Sequence, residues 1–463
     1  MGSEMCIRDR LGSAQLDQNS IASSRELLNR FVSFYSNASY TYDDKYVLSG
    51  SIRWDRSNLW GTNSKYQNKP LWSVGGSWNI YKEKFFQADF VDMLKLRASY
   101  GIGGNIGRNT APYLIASYYD SSLVDGMAGS VNTPPNKDIR WEKTTTVNVG
   151  VDFALFRHRL SGTIEYYNKY SVDLLAAING SPTQGFGYTT LMTNNGKMVN
   201  RGVEITLSGE IIRQKDFSWN ASLLYAFNRN KVKHISVQPS LWDSRISMPT
   251  SYPMVGKPLY GIYAYKWAGL NENGDPQVYD AENNVTSGPA RDYHALVYCG
   301  TTVPIHNASL TNVLRYKGFE FSAMLILDAG HKLRSSNIPS INMSNGRITS
   351  TAKGIVDRWT QPGDVTDVPR LLFSNDTENF NTHRTELYRY SDLFVYDASN
   401  IRLSNISLAY RVPAHWCKKI SLSGARLQFN VENVATFAFD SKANYDLGGK
   451  MKPNYVWGLY LNF

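Results

Sequence analysis

The chain has 463 residues, a net charge of +10 and 13% aromatic residues, among them 30 Tyr, 19 Phe and 11 Trp. Mean hydropathy is -0.37, and no apolar run reaches about 18 residues, which excludes a helical membrane span. Its three cysteines (Cys6, Cys299, Cys417) are far apart and its basic residues are scattered, which argues against a disulfide framework, a zinc site and a nucleic-acid surface.

Residues Met1–Arg10 (MGSEMCIRDR) have neither an apolar core nor a small-residue cleavage site, so they do not read as a signal peptide. Residues 1–10 read instead as a non-native leader ahead of one continuous region, 11–463. From there the apolar residues recur at period two, the signature of strands. Residues 31–42 give a first, less regular strand. Tyr46, Leu48, Ile52 and Trp54 then alternate with Val47, Ser49, Ser51 and Arg53. Trp72, Val74 and Trp78 follow, then Leu94, Leu96, Ala98 and Tyr100 opposite Lys95, Arg97 and Ser99. The same alternation marks Val147–Leu155, Leu160–Tyr166, Val203–Leu207, Phe217–Phe227, Phe319–Leu327 and Leu427–Val431, with weaker signals at 306–317 and 399–412. The last nine residues are the clearest: Tyr455, Trp457, Leu459, Leu461 and Phe463 share one face, opposite Val456, Gly458, Tyr460 and Asn462. The count is about 13 strands, or 15 if 259–270 joins the wall.

A sandwich also alternates, and two features separate it from a barrel. Charges sit in mid-strand on the polar face (Arg53, Arg97, Asp152, Glu165, Glu204, Glu432), as a hydrated lumen allows. The connections also alternate in length. Short turns are predicted at 42–45, 156–159, 213–216, 317–318 and about 413–420. Long segments are predicted at 55–70, 105–143, 172–198, 233–305, 331–398 and 436–454, with 81–93 intermediate. Short periplasmic turns alternating with long outer loops are the pattern of an outer-membrane barrel. The predicted class is therefore all-β, an antiparallel transmembrane β-barrel wall lying against the lipid bilayer. Its closing strand, through Tyr455, Trp457, Leu459, Leu461 and Phe463, would carry the signal for the barrel assembly machinery. If that strand descends to a periplasmic terminus, every short turn is periplasmic.

Enzyme signatures are poor. The seven histidines show no His-Glu-x-x-His pair, and no G-x-S-x-G elbow precedes a usable His and Asp order. Gly101–Gly107 imitates a dinucleotide loop, but its last glycine is one place late and no helix follows. Asn271, Asn273 and Asp275 alternate like calcium-loop ligands but lack the bidentate Glu, which favours a plain turn. No metal or cofactor is expected. Candidate ligand contacts are Tyr118, Tyr119 and Asp120 in one outer loop and Trp242 and Asp243 in another. Flat rings meet the apolar faces of sugars or peptide side chains, and a carboxylate binds hydroxyls. The blander reading of these residues is rim or loop packing.

Specific strings add a resemblance. Lys45–Gly61 (KYVLSGSIRWDRSNLWG), Pro70–Phe86 (PLWSVGGSWNIYKEKFF) and Leu94–Asn105 (LKLRASYGIGGN) come first. Trp141–Leu175, Asn195–Leu207 (NGKMVNRGVEITL), Arg358–Pro369 (RWTQPGDVTDVP) and Asp397–Pro413 (DASNIRLSNISLAYRVP) follow in order. Over residues 31–463 the chain resembles the C-terminal barrel of SusC/RagA-type TonB-dependent outer-membrane transporters of Bacteroidetes. The resemblance implies a barrel of 22 strands, of which about 13 to 15 are present here. The plug, the TonB box and an N-terminal domain would belong to a longer gene. It also implies import of glycans or oligopeptides, energised by a TonB complex and assisted by a SusD-like surface lipoprotein. A passive outer-membrane pore or a surface adhesin, needing no plug, is the alternative. An outer-membrane hydrolase would need a Ser/His/acid cluster that the scattered histidines do not supply.

Overall fold

The computed structural model describes residues 30–463 apart from 60, 62, 64–65, 67–69, 108–111, 122–125, 181–182, 184–189, 240–243, 289, 291, 344–350, 374–381, 420 and 449–451. Among the described residues, thirteen antiparallel strands form one sheet in chain order. They are β1 (Phe31–Tyr42), β2 (Tyr46–Ser57), β3 (Leu71–Asn79), β4 (Val91–Asn105), β5 (Glu142–Leu155), β6 (Leu160–Asn179) and β7 (Thr190–Arg213). They continue as β8 (Phe217–His234), β9 (His306–Tyr316), β10 (Phe319–Ala329), β11 (Asn400–Arg411), β12 (Gly424–Ala438) and β13 (Asn454–Asn462).

Every second connection is short. The turns after β1, β5, β7 and β9 span two to four residues, and that after β11 holds one turn of helix (Ala414–Lys418). The turn after β3 carries a short 3-10 segment (Ile80–Lys82). All six lie at one end of the sheet, because the strands alternate in direction. Phe463 falls at that same end, as the sequence predicts for a periplasmic terminus.

The register assembles the alternating residues into rows. Trp219 of β8 aligns with Leu314, Phe321, Leu408, Phe429 and Trp457 across β9 to β13. The next row toward the short turns is Phe217, Tyr316, Phe319, Tyr410, Leu427 and Leu459. Trp457, Leu459 and Leu408 are 79%, 61% and 47% exposed. An apolar exposed face spanning so many strands far exceeds what a soluble protein leaves in water, so hydrocarbon is its solvent. One row further toward the long connections, Asn312, opposite Ala221 and Ala323, accepts within the wall from the indole Nε1 of Trp219, 3.1 Å away.

Two expectations change. Residues 172–179 and 190–198 are not loop: β6 and β7 run on together, pairing Leu174 with Gly196 and Asn179 with Thr190. A spanning strand needs roughly 9–11 residues. The 24 residues of β7 therefore carry the hairpin well beyond the bilayer on the long-loop side. Polar alternation masks this extension in the sequence, because a strand in water needs no apolar face. Residues 259–270 do not enter the wall. Gly261–Tyr265 pairs instead with Leu296–Thr301, and Trp267–Leu270 with Pro276–Tyr279. The wall count is thus 13. The Gly101–Gly107 run begins inside β4 rather than in a loop opening a helix.

The packed core lies outside the wall. Tyr263, Tyr265, Val278, Leu296 and Leu387 form one buried cluster, and Ile341, Tyr388 and Phe394 another, all in the long connections after β8 and β10. These two connections are one body: Tyr265 N donates to Tyr390 O (2.9 Å), and Leu372 N to Ile341 O (3.0 Å) within it. The connection before β13 joins through Asp446, which accepts from Ser336 N and Oγ. The result is a cap at the outer end of the sheet.

Candidate transport lumen and outer mouth

The polar face of the sheet is a bonded network. Arg97 of β4, Gly150 of β5 and Glu165 of β6 stand side by side in register. With no side chain at Gly150, the Arg97 guanidinium lies across β5. Its Nε meets Asp152 at 3.1 Å and its Nη2 meets Glu165 at 3.0 Å. Thr163 Oγ1 adds a bond to Asp152 (3.0 Å), and Asn148 donates to Glu165. One strand further, Tyr167 of β6 faces Gly202 of β7. A Cβ at Gly202 would lie 2.4 Å from the Tyr167 ring, so only glycine lets the ring lie flat and become 93% covered, at 7% exposure. Nearer the short turns, Glu320 takes Arg315 on one oxygen (2.7 Å) and Arg426 on the other (3.2 Å). Charges paired in this way across neighbouring strands need water on that face and would be untenable against lipid.

The cap is locked by arginine. Asp275 accepts from Arg370 Nε (3.0 Å) and Nη2 (2.8 Å) and from Arg384 Nε (2.6 Å). Arg384, 2% exposed, also donates to Asn342 Oδ1 and Arg370 O. Burial pulls its guanidinium below the ordinary arginine range, while Asp275 opposes that shift. The Asn271–Asp275 segment is therefore a turn and not a cation loop. Asn271 Oδ1 accepts the N–H groups of Asn273 and Asp275, and both Asp275 oxygens are spent on guanidinium groups. Gly274 sits at φ +73°, with the Trp359 ring stacked where a Cβ would go. Arg334 staples the same body, donating to the carbonyls of Tyr263 (2.6 Å), Arg389 and Ser391. Sequence reasoning missed Arg334, Arg370 and Arg384. Their partners lie 14 to 109 residues away, and no periodicity signals them. Among the described residues, no group of three or more His, Cys, Asp and Glu is placed to hold a metal ion.

The candidate ligand contacts separate. Tyr118 and Tyr119 lie in a hairpin, Ile115–Ser121 paired with Gly126–Thr133, within the connection after β4. They are 72% and 53% exposed and, as strand neighbours, point to opposite faces of it. Asp120 pairs with Met127 in the same hairpin. Trp242 and Asp243 lie outside the described residues, as do residues 1–10. The wall residues of the closing strand, Tyr455, Trp457, Leu459, Leu461 and Phe463, all face outward and are exposed.

At the base of the cap, a cavity of about 340 Å3 opens between the extended β6–β7 hairpin and the chain leaving β8. Its lining includes Leu174, Ala176, Met198, Val232, Pro253 and Leu259. The hairpin is braced beside it: Arg140 Nη2 pairs with Asp173 at 2.7 Å, and Asn194 bridges the backbones of Arg140 and Asp173.

Residues 9–434 match the TonB dependent receptor-like, beta-barrel family. The chain is 26% identical to TonB-dependent receptor P3 of Formosa agariphila, covering 97% of this chain and 45% of that protein. It is 25% identical to TonB-dependent receptor SusC of Bacteroides thetaiotaomicron, covering 88% of this chain and 40% of that one. The structure of the RagAB peptide transporter superposes with a TM-score of 0.75 at 23% identity, over 94% of this chain and 48% of its counterpart. The chain thus spans less than half the length of these relatives. Thirteen wall strands of barrel register, a lipid-facing apolar side and a family match over most of the sequence lead to one conclusion: the chain belongs to the TonB-dependent receptor family, as an outer-membrane β-barrel segment of a transporter family and not of an enzyme family.

Proposed function

We propose that the gene product containing this chain imports glycans or oligopeptides across the outer membrane. A TonB complex supplies the energy, and a SusD-like surface lipoprotein works on the outer face. This chain contributes wall, charged lumen lining and outer cap. The observation that carries the reading is the pairing of an ion-paired polar face with an outward apolar face, under long connections folded into a cap at one end only. Such a wall encloses a wet passage whose outer mouth is built to receive something. The likeness to SusC and to the RagAB peptide transporter supports the same reading. Within it, Tyr118, Tyr119, Asp120, Trp242 and Asp243 are candidate cargo or partner contacts. Tyr455, Trp457, Leu459, Leu461 and Phe463 are the strand that the assembly machinery would read.

The test is uptake of labelled oligopeptides and oligosaccharides by cells making the intact gene product, with and without an uncoupler. Uptake that stops when the proton-motive force is collapsed supports the importer. Uptake indifferent to the uncoupler makes the protein a passive pore, and surface binding without uptake makes it an adhesin.

A further inference from the structure

The cavity at the outer mouth is too specific in its lining to be a generic gap. Met198 and Val232 are register partners on β7 and β8. Val232 is four residues on from Asn228, which faces Gly202 beneath the Tyr167 ring, so its side chain belongs to the lumen-facing set. Leu174 and Ala176 of β6 form one wall, and Pro253 and Leu259 form the other. That second wall is fixed by backbone bonds. Val232 N donates to Lys257 O (2.9 Å), Gly256 N to Val232 O (2.8 Å) and Leu259 N to Asn230 Oδ1 (2.8 Å). The space is therefore preformed.

Its chemistry selects a cargo. No Trp, Tyr or Phe lines it among the described residues; the one ring in the lining is the small polar imidazole of His234, and the rest is mainly aliphatic. Branched aliphatic and thioether groups instead fit a branched aliphatic side chain. At its edge stands Lys197, exposed and without an acidic partner among the described residues. Glu142, the carboxylate of the lining, is already spent on Leu175 N (2.8 Å) and Asn105 Nδ2 (3.0 Å). Those neutral donors engage the Glu142 oxygens without cancelling its charge, so the group left to meet a carboxylate is Lys197, which has no ion-pair partner among the described residues and stands beside an aliphatic slot. We propose that it is a subsite for an aliphatic residue of an oligopeptide cargo, with a carboxylate of that peptide held by Lys197. This rests on the importer reading and narrows its substrate class to peptides.

The experiment measures uncoupler-sensitive uptake by cells making the intact gene product. The probes are two labelled peptides of equal length and charge, one leucine-rich and one serine-rich, each as the free acid and the C-terminal amide, plus a labelled oligosaccharide. Wild-type protein should take up the leucine-rich acid at least about tenfold better than the serine-rich one, the scale of discrimination an apolar pocket provides. Ala176→Phe, which fills the slot, should erase that preference by lowering leucine-rich uptake to the serine-rich level. Lys197→Gln, on an exposed position with no bonding role, should lower uptake of the acid toward that of the amide. Surface amounts of both variants are measured in parallel, and Lys197→Gln carries the test if Ala176→Phe fails to assemble. Equal uptake of both peptides, or indifference of the preference to both variants, overturns the subsite. Uncoupler-sensitive uptake of the oligosaccharide alone overturns the subsite and leaves the importer standing. No uncoupler-sensitive uptake of any probe removes both.

Discussion

Asp275→Ala should loosen the outer cap without touching the wall. The residue lies in the cap, and its carboxylate takes three charge-assisted bonds, at 2.6, 2.8 and 3.0 Å. Removing one partner of a buried ion pair costs about 3–5 kcal/mol, because the remaining charge stays out of water. Two features of the site place this case at the low end. The Arg370 side chain is 23% exposed and can turn to solvent. Arg384, at 2%, cannot, but it keeps Asn342 Oδ1 and Arg370 O. The expected loss is about 3 kcal/mol, which at 1.4 kcal/mol per decade raises the open fraction of the cap about a hundredfold. Limited proteolysis on intact cells reads that fraction when opening and closing outpace cleavage. Asp275→Ala combined with Arg384→Met should recover most of the loss, since an apolar isostere replaces a buried ion pair at little cost. Cleavage of Asp275→Ala within about threefold of wild type would refute the clamp argument, because that corresponds to well under 1 kcal/mol. So would a double variant as sensitive as the single one.

Three further outcomes are expected. Gly202→Ala should destabilise the wall by about 1–3 kcal/mol through overpacking, since its Cβ would meet the Tyr167 ring at 2.4 Å and Phe227 O at 2.6 Å. Gly209→Ala, whose nearest neighbour would be 3.8 Å away, should be within about 0.5 kcal/mol of wild type; urea midpoints of the folded gel form compare the two. His331, just outside β10, has a buried Nδ1 with no partner among the described residues, and burial holds its pKa below the ordinary range against the pull of Asp328 and Asp397. The unfolded chain then binds the proton more readily, so this contribution is whole above about pH 6.5 and is lost as pH falls through the lowered pKa. Cap proteolysis should accordingly accelerate on acidification in wild type and less so in His331→Asn; identical pH profiles would contradict it. Trp457→Arg, on the lipid face, should cost up to about 2–4 kcal/mol of wall stability, depending on depth. Val456→Arg on the opposite face should cost much less, and equal effects on the folded fraction would reverse the assigned orientation.

The wall was legible in the sequence because a strand between lipid and water must alternate, residue by residue. Trp219, Phe321 and Trp457 could each be placed on the apolar face from their neighbours alone, and the mid-strand charges opposite, with the alternation of short and long connections, made that face the outward one. That same rule stops where the lipid stops. Past Ser171 the β6–β7 hairpin stands in water, where no apolar stripe is required, and its continuation to Asn179 and Thr190 emerged only from pairing. The cap was hidden for a different reason. Its stability rests on Asp275 meeting Arg370 and Arg384 across 95 and 109 residues, and on Tyr265 packing with Leu387, contacts with no local period. Asp275 even resembled a cation ligand until its oxygens were found to be occupied by guanidinium groups. The aliphatic cavity likewise exists only because Leu174, Met198 and Leu259, from three separate segments, converge. Local alternation, imposed by the solvent on each side, determined the wall; the mouth depended on long-range convergence, which only the folded chain decides.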